Sequence, residues 1–235
     1  PDVFSSEGQN WEFPCYNWEN MRLNNYEWWK RRLQRFSKLF NALRIDHVLG
    51  FFRIWEIPRY TAVRGILGHY NPCKWLTREE LLKYGLWDID RYTKPYIPYH
   101  LLKEKFGERA EYFAKTYFNP RRIHYEDDLF EFKEEYNTEL KLYQRISDRN
   151  TDFVNLVRLM SNVLLVRNPH NPEQFSPRSL LKVEYIERDQ NGKLIEHPSS
   201  SFAELSDSER STFDWLSIDF QYHRQNNLWR EQAWL

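Results

Sequence analysis

Between residue 21 and about residue 40, the stretch MRLNNYEWWKRRLQRFSKLF sets Tyr26, Trp29, Leu33, Phe36 and Phe40 at steps of three and four. That spacing paints one apolar stripe on a helical period and predicts an amphipathic helix. The next run, ALRID at residues 42–46, is apolar, too short for a helix of its own and closed by a charged tip, so it reads as a short strand. The first twenty residues, PDVFSSEGQNWEFPCYNWEN, scatter Gly, Pro, Ser and Asn among rings without a period and read as a loop. Loop, amphipathic helix, short strand and charged tip form the phrase expected of an α/β protein, where sites collect at the carboxyl ends of parallel strands.

From about Gly68 to Asn119 the pattern shifts to short helical pieces and Pro-punctuated loops. LTREELLKYGLW opens with Thr77 and Glu80 at capping-box spacing. A charged helix is expected from about Asp127 to Ser147, with Phe130, Glu134 and Lys141 on a solvated face. NVLLVRN and LLKVEYIERDQNGKLIEHP predict strands, the second folded into a hairpin near residues 181–197 at Asn191-Gly192. From about Glu204 the chain returns to helix, with Trp215, Phe220, Leu228 and Trp229 as core candidates. These shifts divide the chain into residues 1–67, a largely helical insertion over residues 68–203, and a helical return over residues 204–235.

Charge removes whole classes of partner. Lys and Arg total 34, as do Asp and Glu, so no global field draws nucleic acid or an anionic membrane surface. No apolar run is long enough to span a bilayer, and no basic-then-apolar leader opens the chain. Two cysteines, Cys15 and Cys73, are too few for a disulfide scaffold, which favours a reducing, cytoplasmic setting. The chain is 17% aromatic, yet its mean hydropathy is −0.82. Rings in polar surroundings either fill an ordinary core or stack on flat polar ligands such as sugars, and composition leaves both open.

The missing motifs narrow the chemistry. With seven glycines in all, the sequence has no dinucleotide fingerprint or phosphate loop, and no nucleophile elbow is present. The seven histidines lack metal-ligand spacing, and DIDRY at Asp88 to Tyr92 lacks the Gly and terminal Glu of a calcium loop. No metal or cofactor is implied. Asp46 stands out instead. Arg44, two residues earlier, projects to the same side of a strand, so its cation favours the ionised carboxylate and fixes its direction. His47 reaches a substrate hydroxyl just beyond the tip. An oriented carboxylate beside hydroxyl-binding groups is equipment for attack at an anomeric carbon. Taken alone, an Asp at such a tip also serves as a helix cap or turn residue.

GQNWEFPCYNW (Gly8 to Trp18), YEWWKRRL (Tyr26 to Leu33) and ALRIDHVLGFFRIWEIP (Ala42 to Pro58), in this order and at close spacing, resemble consecutive segments of the 4-alpha-glucanotransferases of glycoside hydrolase family 77. The wording RIDHVLGFFRIWEIP is similar to the large maltose-using branch, the disproportionating enzyme 2 type, which carries a long insertion after this strand. The match is dense over residues 1 to 60 and thinner beyond. The resemblance implies a (β/α)8 TIM barrel that moves α-1,4-glucosyl units between maltose or maltodextrins and glucan acceptors by a retaining double displacement. By motif position Asp46 matches the nucleophile, Arg44 its orienting cation, and His47 a donor near the cleaved bond. Trp11, Pro14 and Tyr16 match the substrate-lining loop. Glu12 stands where the family usually has Gly, and Cys15 replaces a commoner small or aliphatic residue. Glu56 is matched by the same residue in the family, beside a separate acid, and so reads as structural.

The resemblance also implies what is missing. The family's general acid lies in a Gly-Glu-Asp-Leu-Gly type motif, and a third carboxylate in a later His-Asp motif; this chain has neither. Together with the opening on Pro1 and a helix running to Leu235, this predicts an incomplete barrel section, mainly helical by itself and inactive alone. A non-catalytic glucan-binding module is the alternative. A third reading makes the insertion a surface for homo-oligomer assembly.

Overall fold

The computed structural model describes residues 10–121 and 129–233. Near its start stand two helices, α1 (Trp18–Leu23) and α2 (Glu27–Ser37), where one was expected. The break falls at Asn24 to Tyr26. Asn25 and Tyr26 both take positive φ, and the Asn24 side chain accepts the Glu27 amide at 3.4 Å, a local bond that competes with helix continuation. Trp29, Leu33 and Phe36 stay on α2, while Tyr26 and Phe40 fall outside it.

The segment Ala42 to Asp46 is not a strand: it runs irregularly with no ladder partner among the described residues. A strand exists only by pairing, and no described residue receives its amides. A 3-10 turn over Val48–Phe51 leads into β1 (Ile54–Glu56), which pairs antiparallel with β2 (His69–Asn71). Gly68 permits this corner. A Cβ there would collide with the Trp55 indole nitrogen and lie 2.7 Å from the Glu56 carbonyl.

The remainder alternates short helices with small sheets. β3 (Leu76–Thr77) runs into α3 (Arg78–Lys83), whose capping box uses Thr77 and Glu80. Then come α4 (Ile89–Thr93), with Asp88 as its N-cap, α5 (Tyr99–Phe106), α6 (Ala110–Tyr117) and β4 (Phe118–Arg121). Asp127, the expected start of a charged helix, lies outside the described residues. Beyond it Leu129–Phe132 is a strand, β5, pairing with β4, and helix α7 covers only Glu139–Arg145. Packing decides this: Leu129 and Phe132 are buried, and the facing ring of Phe118 packs on Phe132 at 4.6 Å.

Helix α8 (Thr151–Met160) precedes β6 (Leu165–Asn168) and β7 (Asn171–Pro177), which with β3 make the order β3-β7-β6. Next, β8 (Val183–Arg188) and β9 (Leu194–Pro198) form a hairpin. In its turn the Asp189 carboxylate accepts the amides of Asn191 and Lys193, each at 2.8 Å, and Gly192 has φ 78°. The chain closes with α9 (Ser200–Ala203), α10 (Asp207–Ile218), a π-helical turn over Asp219–Gln225, and α11 (Asn226–Ala233). Trp215, expected inside, is half exposed, whereas Phe220 and Trp229 are buried. The class is mixed α/β, and every strand pair among the described residues is antiparallel.

Two apolar clusters hold this body. One gathers Leu101, Leu102, Phe113, Leu142, Phe153 and Leu156 between α5, α6, α7 and α8. The other packs Leu76, Leu81, Tyr92, Phe175, Phe213 and Leu216 between the three-stranded sheet and α10. No described residue before Ala62 is buried. No described helix is long and apolar enough to cross a membrane.

Candidate active site

The stretch from Asn10 to Asn17 is an irregular, mostly exposed loop. The Glu12 amide donates to the Asn10 side-chain oxygen at 3.0 Å, and Glu12 itself takes φ 57°. Only glycine adopts that backbone freely, which explains physically why a Gly suits this position and why Glu strains it. Trp11, 68% exposed, stands out from the loop with the Phe13 ring edge-on at 6.1 Å. Pro14 is exposed as well. Tyr16, also exposed, packs against a surface cluster of rings: Trp18 at 5.0 Å, Trp29 at 5.4 Å and Trp28 at 5.7 Å.

Arg44 and Asp46 meet at the tip expected of them. The guanidinium Nη2 lies 3.8 Å from Asp46 Oδ1, with the two side chains 90% and 93% exposed. At that distance in water the attraction is weak. His47 comes next at φ 49° and starts the 3-10 turn, its carbonyl accepting the Gly50 amide at 2.9 Å. Gly50 leaves room for the imidazole, since a Cβ there would come within 2.9 Å of His47 Cδ2. At the far end of the turn the Phe51 ring packs on Trp18 at 5.6 Å and on Trp29 at 5.4 Å. Phe51 therefore joins the Asp46 turn to the ring cluster that carries Tyr16. The structure brings Arg44 to Asp46 and Tyr16 to this cluster, while Trp11 and Pro14 face solvent at the loop's outer end.

Glu56 is occupied elsewhere: its carboxylate accepts from the Asn71 amide at 2.8 Å within the β1–β2 pair. Burial raises the Cys15 thiol, and the Glu56 charge adds to it, so Cys15 stays protonated at neutral pH. Burial pushes the Cys73 thiol up to about 12. Both cysteines are free, and neither has the depressed pKa of an activated nucleophile.

Three contributors escaped the sequence reading. Phe51 was one ring among many. Glu139 sat in a stretch read as solvated, yet it is fully buried and takes three hydrogen bonds from Val63 and Arg64. Asn10 did carry a signal, since an Asn two residues before a turn commonly accepts a backbone amide.

The family model described as 4-alpha-glucanotransferase matches residues 1–233. This chain belongs to the 4-alpha-glucanotransferase family. Among curated 4-alpha-glucanotransferases, the protein named DPE2 of Oryza sativa subsp. japonica is 38% identical over 243 residues, covering 99% of this chain and 24% of that protein. The chloroplastic/amyloplastic enzyme of Solanum tuberosum is 43% identical over 71 residues, 30% of this chain and 12% of its own length. The enzyme of Aquifex aeolicus is 48% identical over 67 residues, 28% of this chain and 14% of its own. The chain thus spans about a quarter or less of these 4-alpha-glucanotransferases. No solved structure matches it.

Proposed function

We propose that this chain is the nucleophile-bearing section of a (β/α)8 barrel that transfers α-1,4-glucosyl units from maltose or maltodextrins to glucan acceptors. Family membership combined with the Arg44–Asp46 pair at the tip of ALRID carries the reading. Asp46 attacks the anomeric carbon; an Asp46 Oδ–C1 bond forms as the glycosidic C1–O bond breaks, and a general acid gives its proton to the departing sugar oxygen. An acceptor sugar hydroxyl then attacks C1, returns its proton to that same group, and frees Asp46 with retained stereochemistry. Retention calls for the two carboxyls to stand about 5–5.5 Å apart. The acid is supplied from outside these residues, so the chain alone is expected to be inactive. Arg44 aims the carboxylate, His47 donates to a hydroxyl near the cleaved bond, and Trp11, Pro14 and Tyr16 line the sugar path. Residues 68–203 are an insertion between barrel elements, residues 204–235 lead back to the barrel, and the setting is cytoplasmic.

The test is Asp46→Asn in the natural gene product. Glucan transfer should fall by at least about a thousandfold, the scale on which a covalent nucleophile is lost, with maltooligosaccharide binding kept. Unchanged transfer would sink the nucleophile role. The exposed Trp11 ring supports a second reading, a glucan-binding module without catalysis. Binding kept with transfer indifferent to Asp46 would favour it.

A further inference from the structure

We infer that Asn10 is a positioning residue that ties the sugar-facing loop to the interior of the body through Val63, an inference that rests on the reading of Trp11, Pro14 and Tyr16 as sugar-lining. Asn10 uses both ends of its amide. Oδ1 accepts the Glu12 amide at 3.0 Å, and Nδ2 donates to the Val63 carbonyl at 3.1 Å, across 53 positions of sequence. The partners fix the assignment, because the first offers only a donor and the second only an acceptor. The Trp11 backbone is therefore held between a turn closed behind it, at the left-handed Glu12, and a tether ahead of it.

The anchor itself is firm. The Val63 amide donates to Glu139 Oε2 at 2.7 Å, and the Arg64 amide reaches the same oxygen at 2.7 Å. Arg64 Nε closes on Oε1 at 2.6 Å, and Arg64 Nη2 continues to the Val157 carbonyl at 2.8 Å and Ser161 Oγ at 3.0 Å, at the end of α8. Glu139 is fully buried on α7. Loop, Val63, Glu139 and the α7–α8 pair form one bonded path. In this way the body that contains the proposed insertion sets where the Trp11 backbone stands. Asn10 touches no reacting atom; it acts on sugar binding and leaves the displacement at Asp46 alone.

The chemistry of the amide supplies the test. Asn10→Asp keeps the acceptor for Glu12 and removes the donor to Val63, whereas Asn10→Ala removes both. In the natural gene product, Asn10→Asp should weaken maltooligosaccharide binding, read by titration calorimetry, by roughly threefold to tenfold, the value of one net hydrogen bond. KM should rise in step, kcat should stay within about twofold, and the melting temperature should hold, since KM alone moves when uniform binding is lost. Asn10→Ala should be weaker still. Binding unchanged in both variants would overturn the inference, as would a joint fall of kcat and melting temperature at constant KM. The Asp46→Asn variant separates the two proposals. If it retains transfer, the catalytic reading fails, while the Asn10 binding measurements still decide the tether.

Discussion

Trp28 on α2 leaves 44% of its surface in water, and Phe213 on α10 leaves none. The contrast extends to whole regions. Residues 10–61 hold all six candidate site residues, and none of their side chains is buried; residues 62–231 hold both apolar clusters. Leu43 and Ile45, flanking Arg44, are about half exposed, which is how a barrel strand looks without the neighbours the barrel proposal assigns to it. The rings of the first region hold one another instead: Tyr16, Trp18, Trp28, Trp29 and Phe51 form a surface cluster, with the Arg32 guanidinium 5.2 Å above Trp28. Motif density and packing density are therefore separate properties. The first region carries the exposed candidate site residues, and the second carries both buried apolar clusters.

That division predicts a gradient of mutational cost, measured by urea titration. The largest effects belong to the second region. Phe175→Ala empties the centre of the three-stranded sheet and should cost about 3–5 kcal/mol. Glu139→Ala strands the buried Arg64 cation and should also cost about 3–5 kcal/mol. At the border, Gly68→Ala forces Trp55 or the Glu56 backbone to shift, at about 1–3 kcal/mol. In the first region, Glu12→Gly should stabilise by about 1 kcal/mol, by freeing a left-handed backbone of its Cβ. Ile45→Thr should stay within about 0.5 kcal/mol, as an exposed site does. A cost above about 2 kcal/mol for Ile45→Thr in the isolated chain would erase the division.

Acid sharpens the border further. Burial holds His69 on β2 below its ordinary value of 6.5, with Glu56 opposing that shift and His170 adding to it. The unfolded chain takes up this proton first, so stability should decline as pH falls below 6.5 and level off beneath the folded value. Melting temperatures across roughly pH 7.5 to 5.5, the window of an imidazole, should slope in wild type and flatten in His69→Gln.

Local chemistry was readable from sequence where the deciding partners lie close along the chain. Thr77 and Glu80 stand three apart and form their capping box, and Asn191-Gly192 makes its turn; Arg44 comes within 3.8 Å of Asp46, but without the strand expected to align them. Legibility failed where a partner lies far away. Glu139 looked solvated because its donors, Val63 and Arg64, lie 76 and 75 residues back. The ALRID segment had strand composition, but pairing is a property of neighbours. The helix break at Asn24 to Tyr26 was hidden for the opposite reason: the apolar stripe continued across it, while two adjacent asparagines favoured local alternatives to the helix.

The π-helical turn over Asp219–Gln225 sets the phase of α11. Gln225, fully buried, exchanges hydrogen bonds with both backbone groups of Lys74, at 3.4 and 3.3 Å, as a strand residue would. One turn later the Trp229 ring meets Tyr70 at 4.9 Å and lies under Arg53 at 4.6 Å. Removing one residue from the wide turn would restore ordinary pitch and rotate α11 by about 100°, carrying Trp229 off Tyr70 together with every other side chain of the helix. A substitution on the exposed side of α11, away from Trp229, should therefore cost less than deleting one residue from the turn before it.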